Sequence, residues 1–282
     1  MKINIIITAH NEEQNIAKTL QSLVHQTFLP NKVVVVNDNS TDKTGEIIQE
    51  YVSNYDFISV VNSISSEYHQ PGSKIIQAFY KGYETLDQSY DLIGKFDADI
   101  ILPKNYFEKL IDEFQNNPKI GIAAGNLYIK EHGNWIYENI SEKTKPRGPI
   151  KLYSKKCFKY IGGLKPSIGW DTADELLARY HGFEVKVLPE LYVKHLRPTG
   201  QSYAKKSNQK QGEAFYKLRY GFLITTIASL KLALKKKKPQ LFIDYIQGYF
   251  QAKKENLPFL VNEEEGKWIR SYRWKMIKQK LF

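Results

Sequence analysis

Residues 1 to 125 repeat one pattern, and it narrows the possible folds more than any other feature of the chain. A short apolar run without polar alternation is followed each time by apolar residues at helical spacing. Ile3 to Ile7 precedes Glu13 to Gln26, where Ile16, Leu20, Leu23 and Val24 share a stripe. Val33 to Val36 precedes Asp42 to Asn54, with Ile47, Ile48 and Tyr51 on one side. Ile58 to Val61 precedes Ser73 to Leu86, and the run Tyr90 to Phe96 precedes Asn105 to Gln115, with Ile120 to Ala124 after it. Strands that do not alternate, separated by amphipathic helices, predict an α/β fold whose parallel sheet is covered on both faces. A chain of 282 residues, 42% hydrophobic, has core enough for one large domain or one domain with an extension.

Ligands of such sheets bind at the carboxyl ends of the strands. Polar clusters stand at three of those ends: Thr8-Ala9-His10-Asn11-Glu12, Asn37-Asp38-Asn39-Ser40-Thr41-Asp42, and Asp97-Ala98-Asp99. Each alone fits helix-capping or turn chemistry, and Ser40, Thr41 or Asp42 suits a helix start. Their coincidence on one rim points to a site instead. Side chains at i and i+2 of extended backbone face the same way, so Asp97 and Asp99 are expected to converge. Two such carboxylates repel unless they share a proton or a cation, and a hard divalent ion is the usual solution beside phosphates. No Gly-x-Gly-x-x-Gly follows the first strand and no Gly-x-x-x-x-Gly-Lys-[Ser/Thr] occurs, which argues against a nicotinamide-binding domain and a P-loop.

With those residues in place, the chain resembles the family-2 glycosyltransferases. The resemblance runs through Ile5 to Glu13 with Leu20 and Leu23, Val33 to Asp42, Phe96 to Leu102, Gly162-Gly163-Leu164, Gly169-Trp170-Asp171, Pro189 and His195. It covers roughly residues 2 to 200 in order and spacing. Thr8-Ala9 replaces a frequent proline, and Asn37 a frequent aspartate. The resemblance implies a GT-A fold, with a mainly parallel sheet flanked by helices and a Rossmann-like nucleotide-binding half. It further implies that Thr8, Ala9 and Glu12 line a nucleotide pocket, that Asp38 accepts from the base, and that Lys74 lies near the nucleotide. By the same carry-over Asp97 sits by the ribose and metal-bound waters, while Asp99, with His195 close by, binds Mg²⁺ or Mn²⁺ and the diphosphate.

The second half reads as the acceptor side. Ile150 to Tyr153 is a predicted strand, Cys157 to Ile161 a short helix, and Gly169-Trp170-Asp171 opens a helix ending near His181-Gly182. On its own, Asp171 at an N-cap with Asp174 three residues on resembles a capping box. The family's catalytic aspartate lies eleven residues before the glycine that ends this helix, and Asp171 to Gly182 matches that spacing. Asp171 is therefore the expected general base, with Asp174 and Glu175 as alternates. Glu184 to Leu188 is a further strand, followed by His195 and Arg197 on the same rim.

Charge divides the chain unevenly. Residues 201–282 hold 18 Lys+Arg and 6 Asp+Glu, net +12, which leaves 23 and 24, net −1, for residues 1–200. The expected domains are therefore 1–200, comprising a nucleotide-sugar half (1–102) and an acceptor half (103–200), and a basic amphipathic helical extension over 201–282. Tyr220 to Leu234 is too short to span a bilayer, but with Lys235 to Lys238 it suits a helix lying on an anionic leaflet. The single cysteine, Cys157, excludes a disulfide framework and fits a reducing compartment. Met1-Lys2 runs straight into a strand, so no signal peptide is expected. The combined expectation is an inverting transferase, cytoplasmic and peripheral on the inner face of the membrane. It would take a nucleotide-sugar, UDP-linked by preference, and a glycan or lipid-linked acceptor, with no nucleic-acid partner. The competing classes are a metal-dependent sugar nucleotidyltransferase, disfavoured by acidic Asn11-Glu12-Glu13 where a basic loop belongs, and a non-catalytic membrane or nucleic-acid adaptor.

Overall fold

The computed structural model describes residues 1–64, 72–140, 142–198 and 206–281. Two compact units divide them, one carrying the sheet and the second taking in Leu164–Tyr180 and the C-terminal helices. The sheet unit opens with β1 (Ile3–Ala9), α1 (Ile16–Val24), β2 (Lys32–Asp38), α2 (Thr44–Asn54), β3 (Ile58–Ser63), α3 (Ser73–Tyr83) and β4 (Leu92–Asp97). It continues through β5 (Ile100–Ile101), α4 (Tyr106–Asn116), β6 (Ile120–Glu131), β7 (Asn134–Tyr137), β8 (Ile150–Ser154) and α5 (Lys155–Tyr160). After α6 (Trp170–Tyr180), which belongs to the second unit, the last strand β9 (Glu184–His195) returns to the sheet.

The order is β3-β2-β1-β4-β8-β6-β9-β5, with β7 paired to β6. From β3 to β4 every pairing is parallel, as the unalternated apolar runs predict. Beyond β4 the sheet is mixed: β8 lies antiparallel to both β4 and β6, while β6 and β9 are parallel. Both faces are covered. Ile3, Ile5, Ile7, Val33 and Val35 join Ile16, Leu20 and Leu23 of α1, Ile48 of α2 and Phe107 of α4 in one core. Ile6, Val34 and Val36 point the other way, toward α3. There Gly82 lets helix and sheet approach, because a Cβ at that position would sit 2.8 Å from Val36 and 2.9 Å from Ile6.

The second unit adds α7 (Lys206–Lys217), α8 (Gly221–Lys235), α9 (Gln240–Lys254) and α10 (Glu263–Leu281). Helix α7 is not evident in the sequence, since most of its residues are polar. It packs on α9 through two glycines: a Cβ on Gly212 would meet the Tyr245 carbonyl, and one on Gly248 the Gln209 carbonyl. Elements elsewhere differ from the sequence reading mainly at their ends. Strand β9 runs on through Pro189 to His195, and β6 is twelve residues long where five are legible. The expected boundary between residues 200 and 201 lies outside the described residues. Among the described residues no helix is long and apolar enough to cross a membrane.

Candidate active site

The site grows out of the end of β4. The strand stops at Asp97, and the chain turns through Ala98 and Asp99 before β5. The two carboxylates thus converge across a turn rather than along an extended strand. Thr19, buried on α1, holds that turn: its hydroxyl donates to the Ala98 carbonyl at 2.7 Å and accepts from the Ile100 amide at 3.1 Å. Strand β5 then pairs antiparallel with β9, placing Ile100 opposite His195, and the Leu196 amide donates to the Asp99 carbonyl at 2.8 Å. A residue nearly a hundred positions away in sequence is brought to the acidic pair by this one short ladder.

Asp97, Asp99 and His195 each offer a ligand atom, all within 4.8 Å of one another. The His195 Nε2 lies 3.5 Å from Asp99 Oδ1, and its Nδ1 lies 3.3 Å from Glu138 Oε2. Glu138 is buried and in turn sits 3.5 Å from Arg147 Nη1. Burial alone would lower the His195 pKa; hydrogen bonds and charge from Asp99 and Glu138 outweigh it and raise the ring to about 9. Two cations complete the surroundings. Lys95, buried in β4, pairs with Asp97. Arg197 pairs with Glu12 and lies 3.4 Å from Asp99 Oδ2. Burial raises the Glu12 carboxyl above its ordinary range, Asn15 opposes this with a hydrogen bond, and Asp99 and Arg197 act in opposite directions.

The ends of β1 and β2 form the adjoining wall. Thr8 pairs in register with Asp97 on one side and Val36 on the other. Asn11 and Asn39, in the loops that follow these strands, both have positive φ, near 53° and 54°. The two loops brace each other: Asn11 Oδ1 accepts from the Thr41 amide at 2.8 Å, and the Glu12 amide donates to the Thr44 hydroxyl at 2.7 Å. Thr8 Oγ1 and Asp38 Oδ1 are buried here and make no hydrogen bond among the described residues. A buried acceptor without a partner costs free energy, so such atoms mark a place for ligand donors. Lys74 lies in the first turn of α3, and the loop before it falls outside the described residues.

The expected base lies in the second unit. Helix α6 begins at Trp170, with Gly169 at φ 84° before it, so Asp171 occupies the first turn rather than the N-cap. Asp171 is half-buried, whereas Asp174 and Glu175 are buried. Glu175 Oε1 lies 3.3 Å from Arg179 Nε. Beside this helix Arg273 Nη2 donates to the buried Tyr220 hydroxyl at 2.5 Å. Burial raises the Tyr220 pKa, Arg273 opposes it, and the charges of Glu175 and Asp171 add to the rise.

Comparison with known proteins adds to this geometry. Residues 4–167 match the model of glycosyl transferase family 2. The chain belongs to that family. Among similar proteins, "Probable glycosyltransferase YdaM" of Bacillus subtilis (strain 168) is 32% identical over 130 residues, covering 45% of this chain and 30% of the relative. The "Poly-beta-1,6-N-acetyl-D-glucosamine synthase" of Staphylococcus epidermidis is 27% identical over 128 residues, covering 45% and 29%. The chain therefore spans under a third of the length of these curated relatives. S. aureus TarS 1-349 in complex with UDP-GlcNAc superposes with a TM-score of 0.57 at 17% identity, covering 89% of this chain and 73% of that one. The mannosyltransferase PcManGT from Pyrobaculum calidifontis, in complex with GDP-Man and Mn2+, gives 0.59 at 12%, covering 100% and 87%. These distant likenesses show the fold, the GT-A architecture expected from the sequence.

The family's divalent ion fits the residues present. Two carboxylates and an imidazole within ligating reach of one another suit Mg²⁺ or Mn²⁺. Glu138, behind the imidazole, supplies the carboxylate partner that a ligating histidine usually has. Sequence reading missed Glu138 and Arg147, because they lie in or beside an irregular stretch with no periodicity to place them. It also missed Thr19 and Lys95, whose apolar neighbours disguise them as core.

Proposed function

We propose that the chain is an inverting glycosyltransferase that moves a sugar from a UDP-sugar to a hydroxyl of a glycan or lipid-linked acceptor, in cell-surface polysaccharide or glycolipid synthesis. The observation that carries this reading is the convergence of Asp97, Asp99 and His195 next to Thr8, which pairs with Asp97 across β1 and β4 and whose buried oxygen has no hydrogen bond among the described residues. Thr8, Ala9 and Glu12 line the nucleotide pocket, Asp38 accepts from the base, Lys74 lies toward the nucleotide and Asp97 toward the ribose. Asp99 and His195 hold Mg²⁺ or Mn²⁺. A divalent ion at such a position offsets charge that develops on a diphosphate leaving group.

Asp171 is the general base. It takes the proton of the acceptor hydroxyl as that oxygen attacks the anomeric carbon, while the bond from that carbon to the diphosphate oxygen breaks and the electron pair leaves with the nucleotide. A single displacement inverts the anomeric centre. The half-buried state of Asp171, against the burial of Asp174 and Glu175, favours it as the residue that meets an acceptor. Residues 1–200 form the transferase domain on this reading. The basic extension 201–282 lies against an anionic membrane surface, with the protein on the cytoplasmic side.

A panel of UDP-sugars, GDP-mannose, CTP and UTP, each with Mn²⁺ or Mg²⁺, tests the reading. Hydrolysis or transfer of a UDP-sugar supports it. Turnover of CTP or UTP with a sugar phosphate makes the chain a nucleotidyltransferase, and binding of no nucleotide removes the enzymatic reading.

A further inference from the structure

Helix α8 has its polarity inverted. Its inner side buries Thr225 and Ser229 along with Ile224 and Ala233, and both hydroxyl oxygens are buried without a hydrogen bond among the described residues. Its outer side carries Leu223, Ile227, Leu230 and Leu234, which are 66%, 37%, 50% and 68% exposed. At 3.6 residues per turn these four fall within an arc of about 60°. Helix α9 widens the patch with Ile243 and Phe250, both about half exposed, and the Phe222 and Phe250 rings meet at 5.6 Å. Where the two helices join, Leu230, Leu234 and Phe242 line a groove of about 420 Å³ with Lys237 at its edge. A helix packed only on its own protein turns leucine inward and threonine outward. A contiguous apolar face turned to solvent marks a surface that another phase or molecule covers.

The charge around the patch identifies what covers it. Residues 221–254 contain seven lysines, Lys231, Lys235 to Lys238, Lys253 and Lys254, against one acid, Asp244. Asp244 is already engaged by Asn208 at 3.0 Å and Gln240 at 3.3 Å. Two-fold pairing of this face with a second copy would set the same lysines against each other without acidic partners. A nucleic acid would satisfy the lysines but leave the leucines in water. An interfacial helix with apolar side chains below and lysines reaching outward matches an anionic bilayer on both counts.

We propose that the Leu223-Ile227-Leu230-Leu234 face of α8, with Ile243 and Phe250 of α9 and the Lys235 to Lys238 cluster, is the surface by which this protein docks on an anionic lipid bilayer. This deepens the membrane reading above by naming the face and the contacting side chains. Its test uses no sugar donor, so it stands or falls apart from sugar transfer.

The test is co-sedimentation of the full chain with vesicles of phosphatidylcholine alone and of phosphatidylcholine with phosphatidylglycerol, at low and high salt. Binding is expected to require phosphatidylglycerol and to weaken without vanishing as salt rises. Replacing Lys235 to Lys238 by Gln should lower binding to anionic vesicles by more than about tenfold. Leu223→Gln with Leu230→Gln should remove the salt-resistant part. All these side chains are exposed, so the variants should melt like the wild type, which a thermal scan checks. Equal binding to neutral and anionic vesicles, or none to either, overturns the proposal. So does a dimer, seen by light scattering, that the two leucine substitutions dissociate.

Discussion

Glu138 Oε2 lies 3.3 Å from Nδ1 of His195, and it fixes which ring nitrogen turns to Asp99. With Nδ1 committed to Glu138, Nε2 faces the acidic pair. A carboxylate behind a ligating histidine orients the ring and raises its basicity, and losing it typically costs about 10- to 100-fold in metal affinity. Glu138→Gln should therefore weaken Mn²⁺ binding by about that factor, read by calorimetry on the folded protein. An unchanged affinity would reduce Glu138 to a packing partner of Arg147.

Asp171 is predicted to act on the acceptor and not on the donor. Asp171→Asn should leave UDP-sugar affinity near the wild-type value and slow transfer by about a hundredfold to ten-thousandfold. Rate and donor affinity measured together decide the point. If Asp174→Asn proved the severe variant and Asp171→Asn the mild one, the base would be Asp174.

A third prediction concerns stability in the second unit. Lys210 and Lys217 both lie 2.7 Å from the Glu213 carboxylate. Burial pushes the Glu213 pKa up, but hydrogen bonds and charge from the two lysines outweigh it and hold the group below its ordinary 4.5. A carboxylate with a lowered folded pKa contributes stability that is complete above its unfolded pKa and is lost as pH falls through the folded one. The difference in Tm between wild type and Glu213→Gln should thus be full at neutral pH and shrink below about pH 4. A difference that stays constant into acid would contradict the pairing.

Much of this was legible in the sequence because local chemistry decided it. The apolar runs of β1, β2 and β4 are buried on both faces, so composition alone marks them as parallel strands with a ligand rim at their ends. The polar clusters that hold Thr8, Asp38, Asp97 and Asp99 stand on that rim, while the separate role expected of each comes from the family resemblance. The Glu138 to His195 contact was not legible, because it depends on β9 returning beside β6 and on an irregular connection after β7. Helix α7 was hidden by polar residues, and its place depends on Gly212 and Gly248 letting two backbones touch. Asp171 is expected as the base from the family's spacing to Gly182, and the helix starts two residues earlier than a cap at Asp171 would require.

The central claim is that Asp99 makes nucleotide binding depend on a divalent ion. Calorimetric titration of UDP into the wild type and Asp99→Asn, each with Mn²⁺ and with excess EDTA, tests it most directly. UDP affinity should be high for the wild type in Mn²⁺, and should fall to one common weak value in EDTA or on Asp99→Asn, with the melting curve of the variant unchanged. Equal UDP affinity in all four titrations would contradict the account.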